Sequence, residues 1–256
     1  MDLQAEYDNG AKVPEYPAIA AGWERAAAEF RVGHPHSALA VAYGPSERQA
    51  MDIFRPGPGE AHPVAVFIHG GYWQRAHRHL FSHFARGMLA HGVAVAMPSY
   101  DLCPQVSMAT IVDQARAAVD FVTARTGGKP LVMGHSAGGH LTAMVLANGG
   151  ARAGLSISGL FDLPPLLATT VAGPLGMDAA EARRLSPLFL PSPGLPIHAV
   201  VGGLEGVEYT RQSRSIAEAW GGTWESLPGF NHFTVAAELE RADSALTLRA
   251  VAMAKG

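Results

Sequence analysis

From Val64 onward the chain repeatedly sets short, unbroken apolar runs between stretches with helical spacing. These runs are Val64 to Ile68, Val93 to Met97, Pro130 to Met133, Gly154 to Ser158 and Ile197 to Val201. A strand that is apolar at every position buries both faces. That happens in a parallel sheet covered by helices on both sides. The helical patterns are roughly Leu80 to His91, Ile111 to Arg125, Gly138 to Asn148 and Thr210 to Trp220. Strands alternating with helices imply βαβ crossovers, so an α/β class with a mostly parallel central sheet is expected. Two earlier runs, Ala38 to Tyr43 and Ala50 to Phe54, are joined by the turn-like Gly44-Pro45-Ser46-Glu47 and read as an antiparallel hairpin at one edge. Met1 to Pro35 is polar and mixed, with a short amphipathic helix at Ala20 to Phe30. No internal repeat or long linker divides residues 1–256, so one domain is expected. The proline-rich stretch 163–196 departs from the alternation. It reads as a cap-like insertion over the C-terminal strand ends, where such sheets bind ligands.

With 48% hydrophobic and 16% charged residues, the chain can bury a large core and is not a disordered one. A net charge of −3 and a pI near 6.4 leave no electrostatic footprint for nucleic acid or an anionic membrane. The partner expected is therefore a small molecule. Oligomeric state is not legible. Cys103 is the single cysteine and reads as a small buried hydrophobe. The start, MDLQAEYDNGAKVPEYP, has neither a basic region nor an apolar one, and no apolar run approaches the roughly 18 residues of a bilayer span. A cytoplasmic location is the expectation.

The strongest chemical signal is Gly134-His135-Ser136-Ala137-Gly138, which follows an apolar run and precedes a helical one. Strand, G-x-S-x-G, helix is the context of a nucleophile elbow. The small residues are needed because the serine sits on a tight turn wedged between strand and helix. Ser136 is the candidate nucleophile. The second signal is His69-Gly70-Gly71-Tyr72-Trp73, directly after Val64 to Ile68. It fits an oxyanion loop. Acyl transfer places negative charge on the carbonyl oxygen, and two backbone N–H groups must already point there. Ala137 would supply one and Gly71 or Tyr72 the other. His69 reads as a loop-stabilising residue rather than a base.

A serine needs a base, and the base needs an orienting carboxylate. The only histidine after Ile197 to Val201, apart from His198 inside it, is His232 on a turn-rich stretch. His232 is the candidate base; His198 reads as structural. Three carboxylates remain open as the acid. Glu205 lies just beyond the strand among glycines and leads. Glu208 falls where the next helix starts, where a helix-dipole role is the simpler reading. Asp162 follows the run at Gly154 to Ser158.

These residues resemble the kynurenine formamidase (arylformamidase) branch of the α/β-hydrolases. The likeness runs through HGGYW at 69–73 and GHSAGGH at 134–140. It continues through SGLFDL at 158–163, EGVEYTRQS at 205–213, NHF at 231–233 and EYDN at 6–9. The resemblance implies an α/β-hydrolase fold and hydrolysis of N-formyl-L-kynurenine to kynurenine and formate, with Ser136, Glu205 and His232 as triad and no cofactor. Most characterised members of this branch carry Asp where this chain has Glu205; a Glu can orient the histidine equally well. The alternative readings are a carboxylesterase for small acyl esters and, more distantly, a non-catalytic ligand-binding protein on the same fold.

An unrelated metal-dependent class of bacterial kynurenine formamidases carries clustered His and Asp ligands. The nearest approach here is His77, His79 and His83, without the intervening Glu of H-E-x-x-H and among arginines. It reads as a solvated helix start, so no metal is expected. Of the aromatic residues near the motifs, Trp73 and Phe161 are the candidates to line a substrate pocket.

Overall fold

The computed structural model describes residues 1–59 and 62–256. Eight strands form one sheet: β1 (Ser37–Ala42), β2 (Ala50–Phe54), β3 (Val64–Ile68), β4 (Ala94–Pro98), β5 (Leu131–His135), β6 (Ala153–Ile157), β7 (Ile197–Gly202) and β8 (Thr223–Leu227). Their order is β1-β2-β4-β3-β5-β6-β7-β8. β1 and β2 are antiparallel, as the turn residues between them predict, and β2 also runs antiparallel to β4. All pairs from β4 through β3 to β8 are parallel. This is the α/β-hydrolase architecture.

The helices are α1 (Leu3–Tyr7), α2 (Asn9–Lys12), α3 (Tyr16–Gly33), α4 (Ala85–Ala90), α5 (Met108–Thr126) and α6 (Ala137–Ala147). Beyond them come α7 (Ala172–Leu175), α8 (Ala179–Arg184), α9 (Val207–Trp220), α10 (Thr234–Ala237) and α11 (Ala245–Lys255). Strand residues alternate between two apolar cores, one on each face. Val66, Ile68 and Val132 join the core that also holds Ile111, Val119, Leu141 and Ile216 from α5, α6 and α9. Ala65, Phe67, Leu131 and Met133 face Trp23, Phe84, Met88, Leu246 and Val251. Two covering layers are why the strands carry no polar alternation.

Three expectations need correction. The helix expected at Leu80 to His91 is only α4, preceded by two 3₁₀ turns at Arg78–Leu80 and Ser82–Phe84. The helix expected at Ala20 to Phe30 is the longer α3, begun by Pro17 in its first turn. β8 was not anticipated: TWESL is an edge strand with exposed and half-buried positions, so it makes no apolar run. Within 163–196 the chain forms 3₁₀ turns and the short helices α7 and α8. Cys103 is buried, and burial pushes its thiol pKa up to about 11. No helix of the described residues is long and apolar enough to cross a membrane.

Candidate active site

Ser136 stands alone between the last residue of β5 and the first of α6, with φ +58° and ψ −118°. A non-glycine residue with positive φ is strained. Here the strain is held by neighbours: the Ser136 N–H donates to the Ile157 carbonyl at 2.8 Å, and the Gly139 N–H donates back to the Ser136 carbonyl at 2.8 Å. The motif glycines follow from packing. A Cβ at Gly138 would lie 1.9 Å from the Ile68 carbonyl oxygen, so only glycine lets α6 start against β3. Ala137 is the first residue of α6, and its N–H has no partner within the helix.

The loop after β3 comes to the same place. Gly71, Tyr72 and Trp73 have consecutive positive φ angles of 113°, 51° and 58°. A Cβ at Gly71 would meet the Arg75 carbonyl at 2.3 Å. The turn closes with the Gln74 and Arg75 N–H groups donating to the Gly71 carbonyl at 3.0 and 3.1 Å. The Tyr72 hydroxyl donates to the Tyr7 carbonyl at 2.6 Å and lies 2.8 Å from the Tyr209 hydroxyl. His69 is buried, its Nδ1 2.8 Å from the Gly70 carbonyl and its ring stacked on Tyr100 at 4.4 Å. Burial drives its pKa down to about 4, so it is neutral. The structural reading of His69 agrees with this placement.

Glu205 meets His232. Glu205 Oε2 lies 2.6 Å from His232 Nδ1, with the two side chains 1% and 5% exposed. The other carboxylate oxygen, Oε1, accepts from the Ser158 hydroxyl at 2.5 Å and from the Gly202 N–H at 2.6 Å. The histidine turn is held by Asn231, whose Oδ1 accepts from the Phe233 and Thr234 N–H groups, each at 3.0 Å. His135 fixes the same turn: its Nε2 lies 2.7 Å from the His232 carbonyl. Burial foremost, with His232 close by, keeps the His135 pKa well below the usual histidine range. Neutral His135 therefore donates that N–H. The Tyr209 ring packs 4.8 Å from the His232 ring.

The other two carboxylates are engaged elsewhere. Asp162 pairs with Arg211 at 2.8 Å, and Glu208 is buried, pairing with Arg211 and accepting from the Tyr7 hydroxyl, each at 2.8 Å. The helix-dipole reading of Glu208 is thus too weak: it anchors the N-terminal segment. His198 bridges Thr223 and Glu225 across β7 and β8.

Ser136 and His232 both line one cavity of about 540 Å³. They make no direct hydrogen bond with each other among the described residues; such contacts often tighten only when substrate is bound. Gly70, Gly71 and Tyr72 line the cavity too, as do Tyr7, Asp8, Asn9, Tyr16, Trp23 and Arg75. Trp73 and Phe161 do not. Both are fully buried: Trp73 packs against the His140 ring at 5.0 Å, and the Phe161 N–H donates to the Gln212 side chain. The left-handed turn at Tyr72–Trp73 sends the first ring to the cavity and the second into the core. The aromatic wall comes instead from Tyr16, Trp23, Phe81 and Phe233, with Tyr16 stacked on Phe233 at 4.1 Å. Sequence reasoning missed the N-terminal lining. The only sign of it was EYDN at 6–9 within the family resemblance.

No group of three or more His, Cys, Asp or Glu side chains able to hold a metal exists among the described residues. The stretch around His77, His79 and His83 is not a solvated helix start. His83 and Arg78 are buried, and Arg78 Nε lies 2.9 Å from Asp52.

The kynurenine formamidase of Salmo salar is 30% identical over 253 aligned residues, covering 90% of this chain and 84% of that protein. The chain belongs to the kynurenine formamidase family. The family's members are hydrolases, and this chain is a hydrolase of the α/β-hydrolase fold. The BD-FAE family model matches residues 51–155, from β2 through β6. A solved structure from Silicibacter sp. TM1040, provisionally assigned as a thioesterase, superposes with a TM-score of 0.92 at 33% identity. The match covers 97% of this chain and 98% of that one. A thermostable carboxylesterase cloned from a metagenomic library shares the fold at TM-score 0.72 and 18% identity, covering 93% of this chain and 95% of that one. In this family member the segment Leu3–Lys12 closes one side of the cavity that holds the elbow serine.

Proposed function

We propose that this protein hydrolyses an aryl formamide, N-formyl-L-kynurenine being the substrate its relatives' name indicates, by a Ser–His–Glu mechanism. The observation that carries the reading is the 2.6 Å contact of Glu205 with His232 Nδ1, made at the edge of the cavity that Ser136 lines. Holding the Nδ1 proton on Glu205 leaves Nε2 as the acceptor toward the serine. Ser136 Oγ attacks the formyl carbon as His232 takes its proton. The developing oxyanion is received by the Ala137 N–H and that of Gly71 or Tyr72. Collapse breaks the C–N bond, and His232 returns the proton to the leaving aryl amine. Water, activated by the same imidazole, then releases formate from the formyl-serine.

The aromatic lining of the cavity supports a large aromatic leaving group. The formyl group asks for almost no acyl space, whereas Tyr16, Trp23, Phe81 and Phe233 offer a wall for an aryl amine. Ester or thioester hydrolysis is a second reading, favoured by the provisional assignment of the Silicibacter structure. Steady-state turnover of N-formyl-L-kynurenine against p-nitrophenyl acetate separates the two. We expect kcat/KM for the formamide to be the larger, and a protein that cleaves only the ester would overturn the reading.

A further inference from the structure

Resting on the aryl-formamide reading, a second feature of the same cavity bears on what the leaving group carries. Two of its described lining residues are formally charged, Asp8 and Arg75, and they have opposite sign. They do not pair with each other. The Arg75 guanidinium has no hydrogen bond or ion pair to any described residue. Asp8 Oδ1 accepts from the Ala11 N–H at 3.0 Å, which leaves Oδ2 open.

Arg75 sits on the loop after β3, and Asp8 sits between α1 and α2 on the N-terminal segment tied to that loop. Arg75 closes the Gly71 turn through its own N–H at 3.1 Å. Asp8 follows Tyr7, whose carbonyl receives the Tyr72 hydroxyl at 2.6 Å, and precedes Asn9, whose Nδ2 donates to the Tyr209 hydroxyl at 2.7 Å. Burial pushes the Tyr72 phenol pKa up and the Tyr209 hydrogen bond pulls it down, with smaller opposed effects from Arg75, which lowers it, and Asp8, which raises it. The segment carrying Asp8 is fastened by the Tyr7 hydroxyl donating to Glu208 at 2.8 Å. The aromatic wall is supplied by other residues, on α3 and around Phe81 and Phe233.

We propose that Arg75 and Asp8 read an α-amino-acid arm on the aryl leaving group, Arg75 taking its carboxylate and Asp8 its ammonium. Arginine offers a fork of donors suited to a carboxylate, and an open carboxylate oxygen is the matching acceptor for an ammonium. A neutral aryl formamide would fill the aromatic wall and leave both charges solvated.

The test uses Arg75→Gln and Asp8→Asn. Asparagine is as good an N-cap as aspartate, so Asp8→Asn removes the charge and keeps the α2 cap. With N-formyl-L-kynurenine each variant should raise KM about tenfold, the loss of one charge-assisted contact at a partly exposed site, with kcat changed less than about threefold. With formanilide, the same chemistry without the charged arm, kcat/KM should move by no more than about twofold. Equal losses on both substrates, or a KM for N-formyl-L-kynurenine within about twofold of wild type, would overturn the assignment. Equilibrium binding of L-kynurenine to the Ser136→Ala protein reads the clamp without turnover. Adding Arg75→Gln should weaken Kd about tenfold, and an unchanged Kd would overturn it. Wild-type protein that cleaves neither formamide would fail the aryl-formamide reading alone, and the binding measurement would still decide the clamp.

Discussion

Replacing Glu205 by glutamine changes one atom, yet the surroundings dictate which way the new amide must point. Oε1 accepts two hydrogen bonds, from the Ser158 hydroxyl at 2.5 Å and the Gly202 N–H at 2.6 Å. An amide NH₂ turned to that side would face the Gly202 donor with another donor, at a site 1% exposed where no water can intervene. Donor against donor in a buried site costs about 1–3 kcal/mol. The carbonyl oxygen therefore stays on Gly202 and Ser158, and the NH₂ faces His232 Nδ1. There it can only donate, so the imidazole carries its proton on Nε2, the nitrogen that should accept from Ser136. The productive tautomer becomes the minor one, and the imidazolium formed during attack loses its counter-charge. A wrong-tautomer substitution of this kind costs about 10²–10⁴ in kcat, or about 2.7–5.5 kcal/mol of transition-state stabilisation. KM should change little, since Glu205 does not line the cavity. Steady-state kinetics on N-formyl-L-kynurenine measure the rate, and ¹⁵N NMR of the histidine ring measures the tautomer. A kcat within tenfold of wild type, or an Nδ1–H tautomer retained in the variant, would refute the reasoning.

Ser136→Ala should lower kcat by at least about 10³-fold with the fold intact, because no other group can carry the formyl intermediate; more than a tenth of wild-type activity would sink the mechanism. Acid should destabilise the protein. Burial holds the His69 and His140 pKa values at about 4, while the unfolded chain binds protons near the ordinary value of about 6.5. Their stabilisation is thus complete above about pH 6.5 and is lost as pH falls toward 4. By linkage each contributes a loss of about 1.4 kcal/mol by pH 5.5, roughly 3 kcal/mol together. Urea titrations at pH 7.5 and 5.5 should show a clear drop in midpoint, and coincident curves would count against it. EDTA should leave turnover unchanged, as the serine mechanism asks for no Lewis acid and the described residues offer no three-ligand cluster. Loss on chelation, restored by Zn²⁺, would return attention to His77, His79 and His83.

Much of this protein is local in sequence. An unbroken apolar run can satisfy itself only with a helix layer on each face, so β3 to β7 were legible from the pattern of apolar runs. GHSAG after such a run was equally legible, because the strand–turn–helix elbow is contiguous in the chain, although its glycines are demanded partly by contact with Ile68 on β3. What the sequence left open were the contacts between distant segments. Glu205, Glu208 and Asp162 are chemically near-equivalent, and only the fold puts Arg211 between the last two and leaves Glu205 against His232. Trp73 and Phe161 sit beside the motifs in sequence, but the fold packs both into the core, Trp73 from a left-handed turn. The cavity wall formed by Asp8, Tyr16 and Trp23 left no chemical signal in the residues beyond the family likeness at 6–9, since a polar N-terminal stretch gains its meaning only when Tyr7 reaches Glu208 some 201 residues away. A strand or turn is set by neighbours within a few residues. A site is set by which side chains the finished sheet brings within hydrogen-bond reach, and no local pattern contains that distance.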